Sequence, residues 1–230
     1  MSLLQIRDLT HGWIPGNALF EGLDLEIDPG QGVLLTGSNG TGKSTLLQIA
    51  AGQLRPWQGS VTIDGTVATS VQARRRRWFM ETTPALYRLL TVREQLRFYA
   101  RAHGRQEDAA LHVLDRLGLG HVQESLCAEL SSGQAQKVWF AAAMACHHGQ
   151  LLLLDEPFSA ADVESVPVML SLVEQFVVSG GAVVLVTHSH TERLHPSWQI
   201  ARLSGPSVVR SGESTPKYAR GTRDGQVHPA

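Results

Sequence analysis

Apolar and polar positions along the chain follow two rhythms that change over twice. Leu4 and Ile6 stand two apart, and Leu23-Asp24-Leu25-Glu26-Ile27 alternates, the period of strands with one wet face. Asp28-Pro29-Gly30 turns the chain into Val33-Leu34-Leu35-Thr36, a short buried strand. Leu46, Leu47, Ile49 and Ala50 then recur as one side of a helix. Ser60-Val61-Thr62-Ile63 predicts another strand, closed by Asp64-Gly65. The rhythm next turns helical. Thr91 and Glu94 have capping-box spacing, and Val92, Leu96, Tyr99 and Ala100 follow at helical intervals. Ala110, Val113, Leu114 and Leu117 make a second stripe that stops at Gly118, and a third helix is predicted through Ala145. Residues from about 83 to 146 therefore read as a helical insertion. Strand character returns in Leu151–Leu154 and in Ala182–Val186, read as the last buried strand, with Val168, Leu172, Val173 and Phe176 marking a crossover helix. The whole predicts an α/β fold with a mostly parallel sheet.

Between the third strand and the first helix lie Gly37-Ser38-Asn39-Gly40-Thr41-Gly42-Lys43-Ser44, which match G-x-x-x-x-G-K-[ST] at every fixed position. Strand, glycine loop and helix are the context this pattern requires. Its glycines let successive amides turn inward as an anion nest, and the helix start adds partial positive charge. Lys43 is expected to reach the β- and γ-phosphates of a nucleotide, and the Ser44 hydroxyl to hold Mg²⁺. Asp155 and Glu156 end the Leu151–Leu154 strand, at the edge where parallel sheets bind ligands. Asp155 is expected to hold Mg²⁺ opposite Ser44, and Glu156 to orient or deprotonate a water aimed at the γ-phosphate.

Four weaker signals stay open at this level. Ser131 and Gln134, flanking Ser132 and Gly133, have the spacing of a helix cap and equally of an anion site at a helix start. His188 ends the Ala182–Val186 strand, either as a structural imidazole or as a hydrogen-bond partner of the γ-phosphate or its water. Trp13 is by default a packing aromatic; the alternative is a face that stacks on adenine. The four arginines Arg74 to Arg77 read as a solvated face or edge, with acidic lipid or a partner loop as the alternative.

Bulk properties narrow the classes. The chain has 230 residues, enough for one α/β domain with an inserted subdomain, and its formal net charge of −1 speaks against nucleic acid as a partner. Cys127 and Cys146 make no disulfide framework, which fits a reducing compartment. No signal peptide and no run of about 18 apolar residues is recognised, so a membrane role must come through another chain. No histidine has the spacing of a structural zinc site. From about Thr215 the chain is rich in Gly, Pro and polar residues and is read as a weakly ordered tail.

Taken together these motifs resemble the nucleotide-binding subunit of ATP-binding cassette (ABC) transporters, from about Leu3 to Gly212. Leu130-Ser131-Ser132-Gly133-Gln134 resembles the family signature, with Ser132 where glycine is commoner. Asp155-Glu156-Pro157 resembles its Walker B end with catalytic glutamate, and Ser159-Ala160-Ala161-Asp162 its D-loop, with Ala161 where leucine is usual. His188 matches the switch histidine and Trp13 the adenine-stacking aromatic. The resemblance implies a P-loop NTPase (RecA-like) core, an antiparallel β subdomain and the inserted helical subdomain, forming an ATPase domain over residues 1–214 with a flexible tail over 215–230. It implies ATP and Mg²⁺ as ligands, held by Trp13, by Gly37, Ser38, Asn39, Gly40, Thr41, Gly42, Lys43, Ser44 and Thr45, by Asp155, and by Ser131, Ser132, Gly133 and Gln134. Ser44 and Asp155 would hold the metal, and Glu156, His188 and Lys43 would carry catalysis. It further implies a homodimer in which each ATP is sandwiched between one subunit's loop and the other's signature. A separate integral membrane subunit would dock against the helical insertion at the cytoplasmic face of the inner membrane.

Within the family the phrases Thr36–Gly40, Leu96–Tyr99 and Leu154–Val163 are most similar to the haem-exporter subunit of cytochrome c maturation. Small ABC-2-type exporter subunits share some of them, including Pro84–Tyr87. One position departs. The family carries a glutamine near the start of the helical insertion, and Phe79–Tyr87 holds none. Thr82 aligns best and Thr83 second, which puts hydrolysis rate and coupling in question and opens the alternative of a slow-turnover regulatory module. A soluble ABC-type ATPase of translation or chromosome maintenance would need two cassettes or long coiled coils, and neither is present.

Overall fold

A computed structural model describes residues 2–146, 149–189, 193–204 and 207–210, the last four by backbone alone. The tail expected from 215 to 230 lies outside the described residues. Two sheets carry the fold. β1 (Leu4–His11), β2 (Phe20–Ile27), β4 (Gln58–Ile63) and β5 (Thr66–Val67) form an antiparallel sheet in the order β2-β1-β4-β5. β2 shows the alternation its sequence predicts: Leu23, Leu25 and Ile27 are buried, and Asp24 and Glu26 are exposed.

The second sheet has six strands in the order β10-β9-β3-β8-β7-β6. β3 (Gly32–Thr36), β6 (Arg77–Met80), β7 (Leu151–Asp155), β8 (Ala182–Val186) and β9 (Gln199–Ser204) run parallel, and β10 (Ser207–Arg210) adds an antiparallel edge. Both faces are covered. Leu152 and Leu154 of β7 enter the core beneath the helices, while Leu151 and Leu153 enter the core shared with the antiparallel sheet. That two-residue division explains why β7 and β8 read as unbroken apolar runs.

α1 (Lys43–Ala50) follows β3, and the short α2 (Val71–Arg75) precedes β6. Among the described residues three α-helices lie between β6 and β7: α3 (Val92–Ala102), α4 (Asp108–Arg116) and α5 (Ser132–Ala145). Thr91 and Glu94 close the capping box at the head of α3, and Gly118 ends α4's turn at φ +73°. α6 (Ser165–Val178) crosses from β7 to β8.

Two expectations need correction, and one open reading narrows. β8 is not the last buried strand: β9 pairs with β3 beyond it and buries Ala201 and Leu203. The arginine run is not one solvated face. Arg74, Arg75 and Arg76 are exposed, and Arg76 pairs with Asp64, but Arg77 starts β6, where neighbouring chain half-buries it. Burial and the charge of Arg74 lower its guanidinium to about 10. Trp13 is 64% exposed, so of the two readings of its ring, packing in the core is excluded and a surface role remains.

Candidate nucleotide site

β3, β7 and β8 end side by side, and the loops after them frame a cleft of about 490 Å³. Asn39, Gly40, Gly42, Lys43, Ser44 and Thr45 form one wall. Asp155, Glu156 and His188 face them from the ends of β7 and β8, and Trp13, Leu19, Thr82 and Val186 complete the lining. Residues more than 170 positions apart in the chain, Trp13 and His188, thereby meet at one opening.

The glycine loop has the geometry of an anion cradle. Gly40 and Gly42 take φ +83° and +95°, a region side chains resist. Gly42 is also pressed from behind: a Cβ there would lie 2.6 Å from Leu19 Cδ2 and 2.7 Å from Phe20 Cζ. No side chain caps the start of α1, which leaves its first amides and its positive dipole end directed toward the cleft. Lys43 is buried at 8% exposure, and its Nζ donates to Gly37 O at 2.9 Å and Ser38 O at 3.2 Å. Gly37 and Ser38 thus hold the ammonium group at the loop's mouth, and Thr41 Oγ1 closes the loop by donating to Ser38 O at 2.9 Å.

Across the cleft Asp155 is 5% exposed at the end of β7. Glu156 follows with φ +49°, and its amide donates to Val186 O at 2.8 Å. Burial raises its carboxyl above the ordinary range, an effect opposed by the His188 amide and imidazole and reinforced by Asp155. The His188 amide donates to Glu156 Oε2 at 3.4 Å, and its Nε2 lies 3.6 Å from Oε1. The Glu156 carboxylate and the His188 imidazole thus stand side by side at the same end of the cleft.

The sequence matches the family described as "ABC transporter" over residues 20–159. The chain belongs to the ABC transporter family. It is that family's ATP-binding subunit, an ATPase built on the P-loop NTPase fold. It is 37% identical, over 81% of its own length and 92% of the relative's, to the cytochrome c biogenesis ATP-binding export protein CcmA of Vibrio vulnificus strain YJ016. It is also 30% identical, over 93% of itself and 86% of the relative, to the nitrate import ATP-binding protein NrtD of Synechocystis sp. strain PCC 6803. Among solved structures, the ATP-binding subunit of an ABC transporter superposes with a TM-score of 0.82 at 29% identity, covering 91% of this chain and 90% of that one. A dimeric ATP-binding cassette in a post-hydrolysis state shares the fold, with a TM-score of 0.80 at 24% identity over 90% of this chain and 97% of that one.

The signature residues stand apart from this cleft. Ser131 and Gln134 form a complete capping box on α5: Gln134 N donates to Ser131 Oγ at 3.2 Å, and Ser131 N to Gln134 Oε1 at 2.9 Å. Neither they nor Ser132 and Gly133 line the opening. Of the two threonines expected near the position of the family's glutamine, Thr82 lines it and Thr83 does not. Leu19 and Val186 carry no motif, and only the fold reveals their place. Among the described residues no helix is long and apolar enough to cross a membrane.

Proposed function

We propose that the cleft binds MgATP and that the chain energises a separate membrane subunit of an exporter, with haem export for cytochrome c biogenesis as its task. Convergence of Lys43, Ser44, Asp155, Glu156 and His188 on one opening carries the catalytic half of this reading. In it the loop amides and Lys43 bind the β- and γ-phosphates, and Trp13 stacks on the base. Glu156 takes the proton of the attacking water, and His188 holds the Glu156 carboxylate and the water in line. Ser44 and Asp155 offer a hydroxyl and a carboxylate in the same cleft, hard oxygen donors that suit Mg²⁺. When bound, Mg²⁺ supplies charge neutralisation at the phosphate oxygens.

Because Ser131–Gln134 lie outside the chain's own cleft, this reading has them complete the site of a second copy, giving a homodimer closed by ATP. The membrane subunit would sit against the helices between β6 and β7, keeping the protein peripheral at the cytoplasmic face of the inner membrane. The export assignment rests on identity to the cytochrome c biogenesis relative. The test is genetic and biochemical together. Loss of the chain should abolish haem-stained c-type cytochromes, restored by the native sequence and not by Glu156→Gln. Purified Glu156→Gln should bind ATP without hydrolysing it. Unchanged cytochromes would remove the haem assignment, and native turnover by Glu156→Gln would remove the base. One observation favours a second reading: the cleft lining includes Thr82 and no glutamine, which supports a slow-turnover regulatory module, recognised by ATP binding without phosphate release even with a membrane partner.

A further inference from the structure

Glu156 sits in an unusual backbone state, and the structure shows what surrounds it. Its φ of +49° is left-handed, a conformation side chains adopt at a cost and keep only where neighbours enforce it. Pro157 follows and disfavours the right-handed alternative. The Glu156 amide is tied to Val186 O, and its carbonyl accepts from Ser159 N at 3.2 Å. The remaining tie comes from α5. Gln136, 2% exposed, points its Nε2 at Glu156 O and at Pro157 O, at 3.3 Å each. Both carbonyls lie within the bend that aims the Glu156 carboxylate into the cleft.

We infer that Gln136 is a positioning residue for hydrolysis: its side-chain amide clamps the left-handed bend at Glu156-Pro157 and so fixes where the carboxylate points. The inference rests on Glu156 being the base proposed above. Two further contacts make α5 and the bend one body. Gly133 passes so close that a Cβ there would lie 2.7 Å from Ala160 O. Lys137 Nζ, at 10% side-chain exposure, pairs with Asp162 Oδ2 at 2.8 Å and donates to Ser165 Oγ at 3.2 Å. The helix that begins with Ser131–Gln134 therefore holds residues 156–165 at three successive points. A shift at its N-terminus reaches the carboxylate through Gln136, without passing through the glycine loop.

The test compares Gln136→Met, which keeps length and loses both donors, with Gln136→Asn, whose amide falls one methylene short. Folding is followed by circular dichroism, and ATP affinity, kcat and KM are measured on the full chain beside Glu156→Gln. Misplacing a catalytic group by about 1 Å costs about 100-fold, so kcat should fall by about 10- to 100-fold in both variants, with ATP affinity and KM changed less than about threefold. Native kcat in either folded variant overturns the clamp. So does a loss of ATP affinity that matches the loss of rate, the mark of a merely structural role. If Glu156→Gln is inactive while the Gln136 variants run at the native rate, the clamp alone fails. If Glu156→Gln turns over normally, the base assignment fails and the clamp falls with it.

Discussion

Replacing Gly42 by alanine tests whether the glycine loop is shaped by its own backbone or merely tolerant of small residues. Two costs add at this position. Holding an L-residue in the left-handed region at φ +95° costs about 1–2 kcal/mol. The new methyl would also enter space within 2.7 Å of Leu19 and Phe20, and Phe20 is fully buried, so it has nowhere to retreat. Overpacking of that kind costs about 1–3 kcal/mol. The sum, about 2–5 kcal/mol, is a large part of a domain's usual stability of about 5–15 kcal/mol. Gly40→Ala is the internal control: its φ is +83°, but a Cβ there meets nothing within 4 Å, so only the backbone cost of about 1–2 kcal/mol applies. Urea unfolding of the two variants, with equal slopes, should put Gly42→Ala below Gly40→Ala by about 1–3 kcal/mol. Equal midpoints would refute the steric argument. Relief of the clash by Leu19→Ala in the Gly42→Ala background would locate its source.

Three other outcomes follow from the same geometry. Because burial raises the Glu156 carboxyl, hydrolysis should be present above its pKa and fall as pH drops through a midpoint higher than the ordinary value of about 4.3; a kcat profile with its acid limb at or below that value would contradict the burial argument. By the same sign this carboxyl binds its proton more tightly folded than unfolded, so it opposes folding at neutral pH and that opposition is relieved in acid. Trp13→Ala should weaken ATP by the worth of one base stack, about 1–3 kcal/mol, and weaken GTP equally, with little change in melting temperature because the ring is exposed; unchanged nucleotide affinity would remove Trp13 from the site. Thr82→Gln should raise phosphate release by placing an amide in the cleft, and a rate no different from native would count against aligning Thr82 with the family's glutamine.

How much of this was legible in the chain depended on where the physical cause lies. The glycine loop, the α3 cap and the apolar run of β7 are written locally, in turn chemistry, capping spacing and continuous burial. β6 was not legible: Trp78-Phe79-Met80 is too short to show a period, and the arginines before it suggest an exposed stretch. β9 misleads in a different way, since the β-branched Ile200 faces out while Ala201 and Leu203 are buried. At the site, Lys43, Ser44, Asp155, Glu156 and His188 announce themselves by residue type at strand ends. Leu19, Phe20 and Gln136 do not, because what they do is set by approach distances across elements far apart in sequence. At Ser131 the spacing of a cap and of an anion site coincide in sequence; the structure shows the cap's two hydrogen bonds and places these residues outside the cleft.

The central claim is that the loop around Lys43 grips the phosphates of ATP. The most direct measurement is the MgATP dissociation constant of Lys43→Ala beside the native chain, by equilibrium titration. Removing the ammonium that the loop carbonyls hold in place forfeits the charge-assisted hydrogen bond it would make to phosphate, worth about 1.5–3 kcal/mol, so affinity should drop by about 10- to 140-fold. A folded Lys43→Ala protein that holds MgATP as tightly as the native chain would contradict the account.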